Sequence, residues 1–142
     1  MKEICSTVAG EMPSIDYQNE LALWELVIEA NKKGLLCCAK DLSSGGAAVA
    51  LGKMAATSGL GCGVTMTVSH PRDIFSESMA RAIIEVAPEN AAAFEAMLGT
   101  LACEKIGTVG GDSVKINDVT LPLAALDDLY YNTFKKVIEQ DI

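Results

Sequence analysis

Histidine is nearly absent from this sequence, and its five cysteines follow no pattern typical of a metal site. The single histidine, His70, precedes a proline, and no C-x-x-C pair occurs. Zinc sites need several Cys or His ligands at short spacings, and a serine or cysteine nucleophile needs a basic partner. We therefore expect neither a zinc site nor hydrolase-type catalysis, and the sequence predicts no catalytic residue.

Long apolar runs and clusters of basic residues are also missing. No stretch approaches the ~20 apolar residues that span a bilayer, and residues 1–10 lack the apolar core of a signal peptide. Basic residues number 11 against 19 acidic ones, which gives a formal net charge of −8. Such a surface repels a phosphate backbone, so we expect neither nucleic acid nor a membrane as partner. The odd number of cysteines indicates free thiols, which favour a reducing, cytoplasmic location.

What remains is an apolar chain with few aromatic residues. Half of its 142 residues are apolar and only 5% are aromatic. A chain of this length buries about 70% of the surface that its unfolded form exposes, which fits one domain. Helical and extended patterns alternate along it. We predict an α+β fold, a mixed α/β sandwich in which helices pack on a single sheet of about four to six strands.

Periodicity and turn residues predict where the elements lie. Helices are expected at 16–33 and 47–57, after Pro88 and after Pro122. Strands are expected at 35–40, 64–68 and 80–86, with a hairpin of 105–109 and 114–116 and a short strand at 119–121. The first helix repeats large apolar residues at spacings of four, three and four, which puts them on one face: Tyr17, Leu21, Trp24 and Ile28. Adjacent Cys37 and Cys38, in an apolar run, are expected to be buried thiols.

The strongest candidate for a binding site is the segment 41–46, Asp-Leu-Ser-Ser-Gly-Gly, between a predicted strand and a predicted helix. N–H groups at a helix start lack partners within the helix, and the helix dipole adds positive charge there. Glycines let a phosphate approach the backbone, Ser43 or Ser44 can donate a hydrogen bond, and Asp41 can hold Mg²⁺. Alternatively, Ser44 only caps the helix and the glycines only form a turn. The segment matches neither a Walker A sequence nor a dinucleotide fingerprint, so both interpretations stay open.

Two further segments are weaker candidates. In residues 75–81, Glu77, Ser78 and Arg81 can orient a phosphorylated substrate, with Arg81 as a bidentate clamp. The alternative there is an internal ion pair between Glu77 and Arg81. The segment 107–112 ends in Gly-Gly-Asp and favours the turn of a hairpin.

The three segments in this order resemble the C-terminal domain of phosphoribosylformylglycinamidine synthase, the synthase II subunit. The resemblance rests on residues 41–51, 75–78 and 106–112 and extends over most of the chain. It implies a fold like the C-terminal domain of aminoimidazole ribonucleotide synthetase. It also implies that residues 1–142 form one such domain, excised from a longer chain.

The resemblance further implies an activity. The family converts formylglycinamide ribonucleotide, ATP and glutamine-derived ammonia to the amidine, ADP and phosphate in de novo purine biosynthesis, and uses Mg²⁺. Asp41 would be a Mg²⁺ ligand and Ser43 an ATP contact, and Gly45 and Gly46 would shape the turn. The implied partners are the N-terminal domains of the same enzyme, a glutaminase subunit that supplies ammonia, and further copies in a homo-oligomer.

The sequence departs from the family pattern at three positions. Lys40 stands where the family usually has His, and Met79 and Ala80 stand where it usually has Gln and Gly. The loss of the Gln amide removes a hydrogen-bond donor and acceptor from residues 75–81. Residues 1–142 alone are expected to be inactive, because the partner domain supplies much of the nucleotide site. The alternatives are a structural nucleotide-binding or dimerisation module, or the equivalent domain of aminoimidazole ribonucleotide synthetase or selenophosphate synthetase.

Overall fold

A computed structural model of the chain describes residues 14–140 and confirms the α+β class. In the order of the chain, the helices and strands are α1 (Tyr17–Lys32), β1 (Leu36–Asp41), α2 (Gly46–Ser58), β2 (Cys62–Val64), β3 (Ala82–Val86), α3 (Ala91–Glu95), β4 (Gly107–Val109), β5 (Ser113–Ile116), β6 (Val119–Pro122) and α4 (Leu123–Gln140). Short 3₁₀ turns occupy Pro71–Phe75 and Pro88–Asn90. Within the described residues, no helix combines the length and apolarity needed to cross a bilayer.

The described residues separate into two compact units, 14–47 with 75–103 and 48–74 with 104–140. The first unit contains a two-stranded sheet of β1 and β3, and the second a four-stranded sheet in the order β4-β2-β5-β6. The strands therefore form two sheets where the sequence analysis expected one. The reason is that, within residues 14–140, β1 and β3 pair only with each other.

The first unit is built around α1. Asp16 caps this helix by accepting hydrogen bonds from the backbone N–H groups of Gln18 and Asn19, and Gly34 follows its end at φ 66°. The core cluster joins α1 to the sheet and to the chain around α3; its buried members are Leu26, Ala30 and Phe94. The helix expected after Pro88 forms as a 3₁₀ turn followed by the short α3.

The apolar face that periodicity assigns to α1 is not the face that enters this core. Its four side chains, Tyr17, Leu21, Trp24 and Ile28, are 74%, 56%, 49% and 50% exposed. Leu26 and Ala30 are buried instead. At about 100° per residue, Leu26 lies on the opposite side of the helix from Tyr17. Both sides carry apolar residues, so the period alone does not decide which side is buried.

The thiols also differ from the expectation. Cys37 is exposed and Cys38 half-buried, because the pairing of β1 with β3 shifts register between Leu36 and Cys38 and one side of β1 stays open. Cys62 is buried, and burial raises the pKa of its thiol. Cys5 lies outside the described residues.

In the second unit, the expected pairing of β4 with β5 as a hairpin is wrong. The strand β2 lies between them, antiparallel to β4 and parallel to β5. Glycine makes this insertion possible, since a Cβ on Gly107 would overlap the carbonyl oxygen of Gly63. The hairpin of this unit joins β5 to β6, so the short strand expected at 119–121 is confirmed.

β2 is also shorter than expected, because it ends at Val64, where the predicted strand begins. Asn117, in the turn between β5 and β6, explains why. Its side chain accepts a hydrogen bond from the Met66 N–H at 2.8 Å and donates one to the Met66 carbonyl at 3.3 Å. These backbone groups are therefore not free to continue a strand ladder.

The last helix, α4, begins where the sequence predicts, and most of its length is exposed. The Tyr131 hydroxyl donates to the Ala56 carbonyl at 3.3 Å, within the same unit. Four of its large apolar side chains are exposed: Leu129, Tyr130, Phe134 and Val137.

Two non-glycine residues in the described range adopt a left-handed backbone, Ala80 at φ 54° and Asn117 at φ 53°. Alanine gains nothing there to offset the steric cost of its Cβ. Asparagine tolerates this conformation, and its side chain makes the two bonds to Met66. The positive φ angle is therefore a net cost at Ala80, whereas at Asn117 the hydrogen bonds to Met66 offset it.

We expect glycine substitutions at these positions to change stability with opposite signs. Ala80→Gly relieves about 1–2 kcal/mol of strain and adds about 0.4–1 kcal/mol of unfolded-state entropy cost, so the chain becomes up to about 1.6 kcal/mol more stable. Asn117→Gly loses two hydrogen bonds and becomes about 1–3 kcal/mol less stable. Urea denaturation of the two variants and the wild type measures both changes. Equal destabilisation by both substitutions would contradict the assignment of strain to Ala80.

Candidate functional site

The antiparallel pairing of β1 with β3 brings two of the predicted segments together. Asp41, the last residue of β1, faces Ala82, the first residue of β3. One more hydrogen bond extends the ladder, from the Leu42 N–H to the Arg81 carbonyl at 3.1 Å. The chain that leaves β1 and the chain that enters β3 therefore run side by side. Segments 41–46 and 75–81 meet at this end of the two-stranded sheet.

The Gly-rich segment forms a tight turn at the start of α2. The Gly46 N–H donates to the Ser43 carbonyl at 2.9 Å, which closes a four-residue turn. Gly45 stands at its third position with φ 86°, the conformation that a type II turn requires there, and Gly46 follows at φ 59°. Both glycines thus shape the turn, as expected. α2 begins at Gly46 itself, so Ser44 is not the residue immediately before the helix.

A side chain of the second segment reaches this turn. The Gly45 N–H donates to Oε1 of Glu77 at 2.9 Å. Arg81 turns to its own segment, and its Nη1 donates to Oγ of Ser78 at 3.2 Å. None of the four ion pairs among residues 14–140 joins Glu77 to Arg81, so the ion pair considered as an alternative for this segment is wrong. The carboxylate is held by the turn because the β1–β3 register places it there.

Asp41 lies beside the turn as an ionised carboxylate. The Lys40 ammonium forms an ion pair with its Oδ1, and the two side chains are 29% (Lys40) and 51% (Asp41) exposed. This ammonium, followed by the Ser43 hydroxyl, holds the pKa of Asp41 below its usual range. Lys40, noted in the sequence only as a departure from the family, therefore acts directly on the candidate metal ligand.

The fit of these residues to Mg²⁺ and a nucleotide is partial. Magnesium takes six oxygen ligands, which include waters and substrate phosphates besides one or two carboxylates. Asp41 can supply one carboxylate, and the part of the chain that the structure describes contains no group of three Cys, His, Asp or Glu side chains that could hold a metal ion. The Ser43 hydroxyl and the glycine turn suit a phosphate. Residues 41–46 therefore match only part of the ligand set that a metal–phosphate group requires.

A shallow cavity of the same unit lies elsewhere. It measures about 390 Å³ and is lined by Val27, Ile28, Asn31, Leu36, Cys37, Cys38 and Ala39. None of the predicted site residues lines this cavity.

The sequence did not predict two contacts of this site, that of Glu77 with Gly45 and that of Lys40 with Asp41. The second was visible, since adjacent residues of opposite charge at a strand end are within reach of each other. The first depends on which strands pair, and no local pattern contains that information.

The family model of the AIR synthase related protein, C-terminal domain, matches residues 5–118. The chain is 66% identical over 142 residues to the phosphoribosylformylglycinamidine synthase subunit PurL of Sulfurimonas denitrificans. This alignment covers 100% of this chain and 19% of that protein. It is 54% identical over 145 residues to the same subunit of a Sulfurovum species, covering 100% of this chain and 20% of that protein. The chain thus spans about a fifth of the length of these relatives.

Solved structures of Thermotoga maritima share the fold. PurL complexed with FGAR superposes with a TM-score of 0.67 at 22% identity, over 82% of this chain and 22% of that one. PurL complexed with ATP superposes with a TM-score of 0.62 at 24% identity, over 75% of this chain and 21% of that one. The structure of PurLQS superposes with a TM-score of 0.65 at 21% identity, over 89% of this chain and 24% of that one. Together with the family match, these similarities confirm the resemblance that the sequence predicts.

The Lys40 contact makes a prediction for the titration of Asp41. Lys40→Met removes the main cause of the lowered pKa, so the pKa of Asp41 should rise toward its ordinary value of about 3.9. Ser43→Ala should raise it less. A carboxylate whose pKa is lowered by folding stabilises the protein at pH values above its unfolded-state pKa. This contribution is lost as the pH falls through the folded-state pKa. Carboxyl NMR titration from pH 6 down to pH 2 measures the shift.

The control for this titration is Lys32→Met, which removes the partner of Glu29 and leaves Asp41 alone. It should raise the pKa of Glu29, which Lys32 lowers, and not that of Asp41. An Asp41 titration that is the same in Lys40→Met and in the wild type would show that the ion pair does not act in solution.

Proposed function

The chain belongs to the AIR synthase related protein C-terminal domain family, and from this premise we propose that it is the C-terminal ATP-binding domain of a phosphoribosylformylglycinamidine synthase. In this proposal, residues 1–142 are one domain of a longer polypeptide. The relatives at 66% and 54% identity, which carry that name over five times the length, support it. The observation that carries the site is the meeting of the Gly-rich turn with residues 75–81 at the end of the β1–β3 sheet.

The whole enzyme in this proposal is an ATP-dependent ligase that forms a C–N bond. It converts formylglycinamide ribonucleotide, ATP and glutamine-derived ammonia to the amidine, ADP and phosphate. Phosphoryl chemistry of this kind depends on positioning and charge neutralisation more than on a protein nucleophile. That demand matches a segment which offers a carboxylate, hydroxyls and glycine N–H groups, and for which we predict no catalytic residue.

Each residue of the turn has a proposed task. Asp41, ionised at neutral pH, would supply one oxygen to Mg²⁺, which when bound neutralises phosphate charge. The Ser43 hydroxyl would donate to a phosphate oxygen. Gly45 and Gly46 would keep side chains away from the ligand, because a side chain is disfavoured at their positive φ angles. Ser78 and Arg81, already joined at 3.2 Å, would face the phosphorylated substrate together with Glu77.

The proposed partners follow from the same assignment. They are the preceding domains of the polypeptide, which complete the nucleotide site, a glutaminase subunit that delivers ammonia, and a second copy in a homo-oligomer. The fold similarity to the PurLQS structure of T. maritima supports an assembly with other chains. An acidic surface with a net charge of −8 supports the absence of nucleic acid among the partners. Free thiols support a cytoplasmic location.

One observation favours the second candidate, a structural nucleotide-binding or dimerisation module. Both glycine N–H groups of the turn are engaged within the protein, Gly45 with Glu77 and Gly46 with Ser43. Asp41 is paired with Lys40 as well. A domain of this form could retain a nucleotide without turning it over, or hold none. The equivalent domain of aminoimidazole ribonucleotide synthetase or selenophosphate synthetase is the remaining alternative.

Substitution of Asp41 separates these candidates in the full-length subunit. We expect Asp41→Ala to weaken the binding of Mg-ATP by about tenfold or more, since a charge-assisted contact contributes about 1.5–3 kcal/mol, and amidine synthesis should fall with it. Isothermal titration calorimetry and a coupled ADP assay measure the two effects. The control Asp118→Ala removes an exposed carboxylate in the turn between β5 and β6 and should change neither. Nucleotide binding and synthesis that are insensitive to Asp41→Ala would favour the structural module.

The isolated 142-residue chain allows a further test of the proposal. The 142 residues alone should show no amidine synthesis from formylglycinamide ribonucleotide, ATP and ammonia, because in this proposal the preceding domains supply much of the nucleotide site. The assay follows ADP release, with the full-length subunit as positive control. Turnover by the isolated chain would overturn the division of the site between domains.

A further inference from the structure

Glu77 accepts a hydrogen bond from one backbone donor of the Gly-rich turn. Of the two glycine N–H groups, that of Gly46 closes the turn on Ser43, and that of Gly45 points at the Glu77 carboxylate at 2.9 Å. A phosphate oxygen bound at this turn would seek the same donor at the same distance. Two anions cannot share one N–H at hydrogen-bond distance without strong repulsion, so the carboxylate and a phosphate exclude each other there.

Within residues 14–140, this carboxylate forms no ion pair. Among residues 14–140, Lys40 is paired with Asp41, and the Arg81 guanidinium contacts the neutral Ser78 hydroxyl. The Gly45 N–H is the one hydrogen-bond donor to Glu77 in this part of the chain. A carboxylate exposed to solvent exchanges such a bond for water at low cost. The Glu77 carboxylate can therefore hold the Gly45 N–H and can also exchange this bond for one to water at low cost.

The segment that carries Glu77 is joined to the end of the sheet by hydrogen bonds. The ladder of β3 with β1 extends to the Leu42–Arg81 hydrogen bond, and Ala80 adopts a left-handed backbone immediately before Arg81. The Ser78–Arg81 hydrogen bond ties the segment to the start of the strand. Rotation about the side-chain bonds of Glu77 thus empties the donor without any movement of the sheet.

We propose that Glu77 is a displaceable internal competitor for the nucleotide phosphate at the Gly-rich turn: its carboxylate accepts from the Gly45 N–H and leaves when a phosphate oxygen takes that position. This inference rests on the proposed function, which makes the turn a phosphate contact. The competitor lowers the affinity for nucleotide by the fraction of time that it holds the donor. Its role is regulation of that site, and it is compatible with a later substrate contact of the released carboxylate.

The competing explanation is that Glu77 positions the turn and so assists binding. The two differ in the sign of one measurement. A competitor, when removed, lets the nucleotide bind more tightly, whereas a positioning residue, when removed, makes it bind more weakly. Glu77→Gln removes the charge and keeps an oxygen that can accept a hydrogen bond, and Glu77→Ala removes both.

The experiment measures binding of Mg-ATP and of adenosine to the full-length subunit by calorimetry. Both Glu77 variants should bind Mg-ATP about three- to tenfold more tightly, which corresponds to a donor occupied for roughly two thirds to nine tenths of the time. Adenosine, which lacks phosphate, should bind with unchanged affinity. The control Glu95→Gln removes an exposed carboxylate of α3 in the same unit and should have no effect. Equal or weaker binding of Mg-ATP by both Glu77 variants would overturn the proposal.

The Asp41→Ala variant distinguishes the two levels of failure. If it weakens Mg-ATP binding while the Glu77 variants do not strengthen it, the turn binds phosphate and only the competition is wrong. If neither Asp41 nor Glu77 affects the binding, the turn is not the nucleotide contact and both proposals fail. Weaker binding by Glu77→Ala with unchanged binding by Glu77→Gln would assign Glu77 a positioning role instead. Thermal unfolding of each variant shows whether it is folded.

Discussion

The candidate site depends on one antiparallel strand pairing. The register that sets Asp41 opposite Ala82 carries the ladder to Leu42 and Arg81. It thereby places the end of one strand, with its Gly-rich turn, next to the start of the other. Without this pairing, the two segments are separate loops, each with an ordinary structural explanation. With it, a carboxylate of one segment reaches a backbone donor of the other at 2.9 Å. Side-chain chemistry is therefore a consequence of backbone register here.

The local parts of this structure could be predicted from the sequence, and the non-local parts could not. Asp16 and Gly34 mark the ends of α1, and the glycines mark the turn before α2, because capping and positive φ angles depend on adjacent residues. Strand pairing depends on residues far apart in the chain. The hairpin expected from the Gly-Gly-Asp turn failed for this reason, since β2 lies between its two strands.

The exposed side of α1 is a different kind of failure. Tyr17, Leu21, Trp24 and Ile28 follow a helical period correctly, but Leu26 and Ala30 on the opposite side fill the core. Periodicity reports that a helix has an apolar stripe and says nothing of what covers it. The Glu77 contact escaped prediction for the related reason that two charged groups near in sequence, Glu77 and Arg81, suggest a pair. In the fold, each finds a partner of another kind.

The insertion of β2 between β4 and β5 has a consequence for the time course of folding. Residues 62–64 can pair only after residues 107–116 are available. The central pairings of this sheet must therefore close a long loop before any of their contacts form. Only the β5–β6 hairpin is local enough to form early. During synthesis, the short strand next to Gly61 leaves the ribosome well before both of its neighbours. The second unit is thus completed from its C-terminal side, with the earliest-made strand incorporated among the last.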